Sequence, residues 1–346
     1  MRELTLSQYK PRSELRVEGH TVIKPKFPVF DVHTHMGSLL PGPNYESCYD
    51  TGEFVNTLEY YGIKASVNLD GSWGGELDRM LNKLKGFEDR ITTFAWVDTS
   101  NIDDPSFAAN TVKELKEAYR KGVRGVKLWK YLSLGHKDSK GRHIPVDDNR
   151  LDPIWNTCAQ LNIPVLIHIA DPIAFFKPID EYNERYHQLV ANPDWSFCRP
   201  EFFKFEELME MQENMLYKNP DTTFIIAHFG SASEDLKFTG RCLDSYPNMY
   251  IDTAARISEL GRQPYTSRDF LIKYQDRVLF GTDFFPTDIP AYDIYYRFFE
   301  TRDEYFEHSR DEGQLNGKWR IYGVYLPDEV LEKLYWKNAE RIVLNK

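Results

Sequence analysis

Phe27-Pro28-Val29-Phe30-Asp31-Val32-His33-Thr34-His35 decides how the rest of the chain is read. A short apolar run ends abruptly in two histidines, one residue apart. In a strand, residues i and i+2 share a face, so both imidazoles leave the run on the same side. Seven more apolar runs follow the same plan. Lys64–Leu69 ends at Asp70-Gly71, Ile91–Val97 at Asp98, Gly122–Leu128 at Trp129 and Ile163–Ile167 at His168. Thr223–Ala227 ends at His228, Met249–Ile251 at Asp252-Thr253 and Arg277–Phe280 at Gly281-Thr282-Asp283.

Helical patterns separate these runs, at Thr51–Tyr61, Glu76–Gly86, Phe107–Lys121, Leu151–Leu161, Phe205–Tyr217, Ser233–Ser245, Ser267–Tyr274, Ala291–Arg310 and Pro327–Leu344. Near-continuous apolar runs alternating with helices describe an α/β fold with buried parallel strands. Eight repeats favour a closed (β/α)8 barrel over an open sheet, and no Gly-rich dinucleotide fingerprint follows the first run. At 346 residues the length would allow two domains, but barrels routinely exceed 250 residues as one. Without a linker, residues 1–346 read as a single domain: a barrel core over about 27–310 and a C-terminal extension over 311–346 that packs one more helix on the barrel. Residues 171–205 contain no strand but carry Phe175, Phe176, Tyr182, Tyr186, Trp195, Phe197, Phe202 and Phe203. That is too aromatic for disorder, and it reads as a lid-like insertion after strand 5, over the strand ends.

Composition narrows the function. The net charge of −10 argues against nucleic acid or an anionic membrane as partner, and no apolar run of membrane-spanning length occurs. Residues 1–26 are charged and lack a signal-peptide core, which suggests a cytoplasmic protein. Cys48, Cys158, Cys198 and Cys242 are too dispersed for a zinc finger or redox pair and read as reduced thiols.

His33, His35, His168, His228 and Asp283 all fall at strand ends, where a barrel gathers its active site. One buried histidine is ordinary. Several imidazoles and a carboxylate buried together need a compensating partner, and a divalent cation provides one. Imidazole and carboxylate suit zinc, manganese or iron.

Those motifs, H-x-H, two later strand-end histidines and a final G-T-D, resemble the amidohydrolase superfamily. They are most similar to its amidohydrolase-related branch, which includes aminocarboxymuconate-semialdehyde decarboxylase. Tyr325-Leu326-Pro327 with Asn338-Ala339 and Arg341 resembles that branch's last helix. The resemblance implies a distorted TIM barrel with one metal held by His33, His35, His168 and Asp283. It makes Asp283 the proton acceptor and places His228 beside the metal, to polarise substrate or hold water. Lys127 would bind a substrate carboxylate or pair with Asp98; as a carboxylated lysine it would instead bridge two metals. Trp73, Trp129 and Arg256 follow strand ends and are candidate substrate contacts, whereas Asp70 and Asp98 read first as helix caps.

The expected activity is metal-dependent hydrolysis of an amide, ester or lactone bond in a small cyclic or aromatic molecule. The alternative is non-oxidative decarboxylation of an aromatic or unsaturated acid, and a third reading is a non-catalytic metal-stabilised binding barrel. A homodimer is compatible with the sequence.

Overall fold

The computed structural model describes residues 3–5, 8–9, 11–36, 50–286, 288, 290–310 and 316–346. Nine strands appear in the described residues: β1 (Val29–Thr34), β2 (Ile63–Asn68), β3 (Ile91–Thr93), β4 (Ala95–Trp96), β5 (Val126–Leu128), β6 (Val165–Ile167), β7 (Phe224–Ile226), β8 (Met249–Asp252) and β9 (Val278–Leu279). They pair in chain order and in parallel, as a three-stranded sheet β1–β3 and a six-stranded sheet β4–β9. The third apolar run supplies both β3 and β4, because its pairing changes at Phe94. The Phe94 N–H donates to Asn68 O at 3.0 Å and its carbonyl accepts from Gly71 N at 3.1 Å, while Ala95 N donates to Gly125 O at 3.0 Å. Phe94 points inward against Gly125, where an added Cβ would lie 2.4 Å from the ring. Beyond β9, Val32 N donates to Phe280 O, Asp283 N to His33 O and His35 N to Phe284 O, each at 2.9 Å. Hydrogen bonds thus connect the last strand back to the first.

Alternation sorts the strand residues into two layers. Val165 and Ile167, or Phe224 and Ile226, face the helices, while Leu166 and Ile225 join Phe30, Val67 and Leu279 in a central cluster. Ala339 and Val343 enter that cluster from the chain's last helix. This region is helix Asp328–Glu332, a π turn over Lys333–Lys337 and helix Asn338–Val343, instead of one uninterrupted helix. The Leu334 carbonyl accepts from Phe280 N at 3.0 Å, so the turn is hydrogen-bonded directly to the end of β9.

Most helices lie within a few residues of expectation, among them Thr51–Tyr60, Phe107–Arg120 and Phe205–Lys218. The helix expected to reach Arg310 stops at Glu300. There the Thr301 hydroxyl donates to Arg297 O at 2.7 Å, and the backbone turns extended so that Asp303 can take Arg297 Nε at 2.6 Å. Asp303 also accepts from His20 N at 2.6 Å and lies 2.5 Å from His20 Nδ1, fastening the N-terminal segment. The Asp303 hydrogen bond raises the His20 pKa from 6.5. The stabilisation this contact gives is therefore complete below about pH 6.5 and fades as pH climbs through the raised value. An NMR titration of His20 should give a pKa above 6.5 that drops back in Asp303→Asn; equal values in both proteins would refute the tether.

Cys158 and Cys242 are buried free thiols and Cys198 is an exposed one; Cys48 lies outside the described residues. Among the described residues no helix is long and apolar enough to cross a membrane.

Candidate metal centre at the strand ends

Period-two alternation carries Lys127, His168, Asp252 and Asp283 inward, each at or just past a strand end. His33, with His35 after it, and His228 arrive by broken alternation. Val32 already faces the central cluster, so its neighbour His33 would point outward in a regular strand. A register shift between Asp31 and Thr34 turns it to the strand-end mouth. His228 follows inward-facing Ala227 and is re-aimed by a left-handed backbone, φ 57°, continued at Phe229, φ 60°. Asp283 is also left-handed, φ 67°. Non-glycine residues avoid this region, and such strain concentrates where geometry serves function. Gly281 is needed for close approach, since a Cβ there would lie 3.0 Å from His33 Cβ and 3.3 Å from Asp252 Cβ.

The centre is built around one carboxylate oxygen. Asp283 Oδ1 lies 3.2 Å from His33 Nε2 and 3.0 Å from His35 Nε2. Each ring is held from behind: His33 Nδ1 is 2.8 Å from Asp252 Oδ2, and His35 Nδ1 is 2.8 Å from Asp70 Oδ1. With both Nδ1–H groups given to carboxylates, two Nε2 lone pairs and an anionic oxygen meet at one point. That convergence is repulsive unless a proton or a metal ion lies between them, and carboxylate–histidine pairs are the usual support for a metal ligand. His33, His35 and Asp283 thus form one group able to hold an ion, and His33, His228 and Asp252 form another. The donor set fits a divalent metal.

His228 stands between His33 and His168, with ring centroids at 5.0 and 4.2 Å. Its Nδ1 donates to Ala254 O at 3.0 Å, which leaves Nε2 as a lone pair facing His168 Nδ1 at 3.2 Å. His168 Nε2 lies 3.3 Å from Asp171 Oδ1, and Asp171 Oδ2 accepts from Lys130 Nζ at 2.6 Å. Asp252 also accepts from His228 N at 2.9 Å and Ala254 N at 3.1 Å, so one carboxylate fixes both the His33 ring and the His228 turn.

Electrostatics follows from burial and charge. Burial alone would raise the Asp283 pKa, but His33 and His35 hold it well below the usual carboxylate range. Burial works against charge on His35, yet Asp70 and Asp283 raise its pKa to about 9. Burial lowers His168 to about 4, and it takes His228 well below its ordinary value, so both rings are neutral at pH 7. Lys127 is buried beside Asp283, Asp252 and Asp70, and desolvation brings it down to about 8. Three carboxylates face the Lys127 ammonium and the charged His35 ring; a divalent cation bound at Nε2 would take the place of the His35 proton.

A cavity of about 740 Å³ opens above the centre, lined by Lys127, Trp129, Tyr131, Arg256, Phe284 and Phe285 and, from the insertion, by Phe175, Arg185 and Trp195. Trp73 is not brought there; it begins helix Gly74–Lys83 and packs against the Leu77–Ala95 cluster. Asp98 neither caps a helix nor pairs with Lys127, because it is exposed and accepts from Ser100 N at 2.8 Å in its own turn. Nor does Asp70 cap a helix: it accepts from Met36 N at 3.0 Å and supports His35. The supporting roles of Asp70 and Asp252 escaped sequence reasoning, although both end apolar runs just as the histidines do. His308 also lines the cavity, whereas His136 and His187 do not.

A parallel α/β fold with histidines and carboxylates at its strand ends defines the class of metal-dependent barrel enzymes. The chain belongs to the amidohydrolase family, whose model matches residues 30–343. No curated protein matches it in sequence. Among solved structures it is similar to a dihydroxybenzoic acid decarboxylase from a Polaromonas species, with bound manganese and 2-nitroresorcinol (TM-score 0.59, 13% identity, 92% of this chain and 98% of that one). It is also similar to a TIM-barrel protein from Bordetella bronchiseptica (TM-score 0.56, 15% identity, 92% and 99%). A probable 2-pyrone-4,6-dicarboxylic acid hydrolase from Acinetobacter baumannii gives a TM-score of 0.52 at 14% identity, over 92% and 99% of the two chains. These likenesses establish a shared TIM-barrel fold.

Proposed function

We propose that this amidohydrolase hydrolyses an amide, ester or lactone bond in a small cyclic or aromatic acid. The single distorted (β/α)8 domain would hold one divalent metal through His33, His35 and Asp283, with His168 as the fourth ligand that the resemblance implies although its Nδ1 faces His228 and its Nε2 lies 3.3 Å from Asp171; zinc is the first choice, and manganese or iron are also suited. When bound, such an ion supplies Lewis acidity and brings the pKa of water towards about 7.

The observation that carries this reading is the exposure of Asp283. Its side chain is 27% exposed, against 1% and 3% for His33 and His35, although one of its oxygens stays between those two rings. Asp283 is therefore the member of the centre that can reach a water in the cavity, accept its proton and return it to the leaving group. His228, neutral and fixed by Ala254, turns its Nε2 lone pair to His168 Nδ1 at 3.2 Å. Arg256 is buried and lines the cavity; among the described residues its guanidinium donates to Ala255 O at 2.8 Å and forms no ion pair. Its guanidinium is suited to a substrate carboxylate, and Lys127 places a second positive charge near the centre. Trp129, Phe175 and Trp195 provide flat apolar walls, and residues 171–205 act as a lid that limits water.

The same two cations favour one second reading, non-oxidative decarboxylation, in which they and the metal grip the carboxylate that departs as carbon dioxide and an acid protonates the carbon left behind. Turnover in H2(18)O separates the two: one labelled oxygen in the product is expected, whereas unlabelled product with release of carbon dioxide refutes hydrolysis. Metal content by mass spectrometry should be about one equivalent per chain, lost in His33→Ala. Two equivalents would replace this reading with a carboxylated Lys127 bridging a pair of ions, and a folded protein that refuses zinc and manganese would sink it.

A further inference from the structure

Asp31, in β1, is fully buried and absent from the cavity lining. Its carboxylate nevertheless bonds to both segments that build the centre. Oδ1 accepts from His33 N at 3.0 Å and Thr282 N at 3.2 Å. Oδ2 accepts from the Thr282 hydroxyl and from Tyr292 OH, the latter at 3.0 Å. One side chain therefore ties β1, where its register slips, to the residue preceding Asp283 and to helix Tyr292–Glu300 behind them.

We propose that Asp31 is a positioning residue that sets metal affinity by holding His33 and Asp283 in register. This rests on the reading of His33, His35 and Asp283 as the ion-holding set. Two features of the centre require such a clamp. His33 points inward only because the β1 ladder is irregular, and an irregular strand segment lacks part of the ladder that would otherwise fix it. Asp283 keeps a left-handed backbone that L-residues leave when nothing holds them, and the bonds to Thr282 N and its hydroxyl restrain the residue before it. A carboxylate serves both ends because all its contacts here are donors: two N–H groups and two hydroxyls. Asparagine keeps one acceptor but turns an NH2 towards a donor, and the register loses its common anchor.

The test is zinc affinity, read by competition with a chromophoric chelator on the full chain. Asp31→Asn is expected to weaken binding at least about tenfold, the scale seen when groups supporting metal ligands are removed, and Thr282→Val to weaken it several-fold. Tyr296→Phe is the control. Its hydroxyl donates to Tyr61 O at 2.9 Å from the same helix but does not touch Asp31, so it should lower thermal stability and leave zinc affinity unchanged. Affinities within twofold of wild type in both Asp31→Asn and Thr282→Val overturn the proposal. So does an equal weakening in Tyr296→Phe, which would mark general destabilisation. If Asp31→Asn fails to fold, Thr282→Val decides by the same threshold. A wild type that binds no zinc overturns the functional reading and this inference together, whereas tight wild-type binding shared by the variants removes this inference alone.

Discussion

Replacing Asp283 by asparagine is expected to lower turnover by about a thousandfold or more, as loss of a positioned proton acceptor combined with a weakened metal site should. The amide keeps nearly the same shape, but it cannot take a proton, and its neutral oxygen is a poorer partner for His33 and His35, now 3.2 and 3.0 Å from Asp283 Oδ1. The measurement is kcat/KM on the first lactone, ester or aromatic acid that the wild type turns over, with metal content recorded on the same samples. A variant that keeps its metal and loses turnover assigns Asp283 to proton transfer. One that loses both makes it chiefly a ligand. Activity within tenfold of wild type would falsify either role.

The largest expected stability effect lies behind the centre. Phe280 is fully buried, with ring centroids 5.4 Å from Tyr335, 5.8 Å from Tyr295 and 6.2 Å from both Tyr296 and Phe299. It joins β9, helix Tyr292–Glu300 and the C-terminal π turn in one aromatic block. Phe280→Ala should cost about 3–5 kcal/mol, through lost burial and a cavity that its four aromatic neighbours cannot easily close. The shift in the urea unfolding midpoint measures it. A loss below about 1 kcal/mol would show that the aromatic block collapses into the gap and is not a rigid joint.

How much of this was legible in the sequence depends on the range of the cause. The strands could be read because burial on both faces forces continuous apolar runs, and the residues that end those runs include the centre's own histidines and Asp283. His33 and His35 were expected to share one side, and they do, but through a register slip that a two-residue period does not contain. The left-handed turn at His228 is equally silent in sequence, being set by Asp252 at the end of the neighbouring strand and Ala254 just past it. Asp70 looked like a helix cap because capping is the commoner local use of a strand-end aspartate. Only the fold brings it within 2.8 Å of His35. Trp73 and Trp129 carried the same local signal, and only Trp129 reaches the cavity. The helix ending at Glu300 was misjudged for a similar reason: its stop depends on Asp303 and its partner His20, far away in the chain.

The central cluster also has a temporal consequence. Phe30 and Val32 of the first strand share it with Ala339 and Val343 of the last helix, so the chain's opening and closing segments meet at one end of the ring of strands. During synthesis the early strands can form, but this interior stays open to water until residue 343 has cleared the ribosome exit tunnel. The nascent chain must therefore wait with apolar strand faces uncovered, a state that invites chaperone binding and makes late synthesis the vulnerable stage in the life of the molecule.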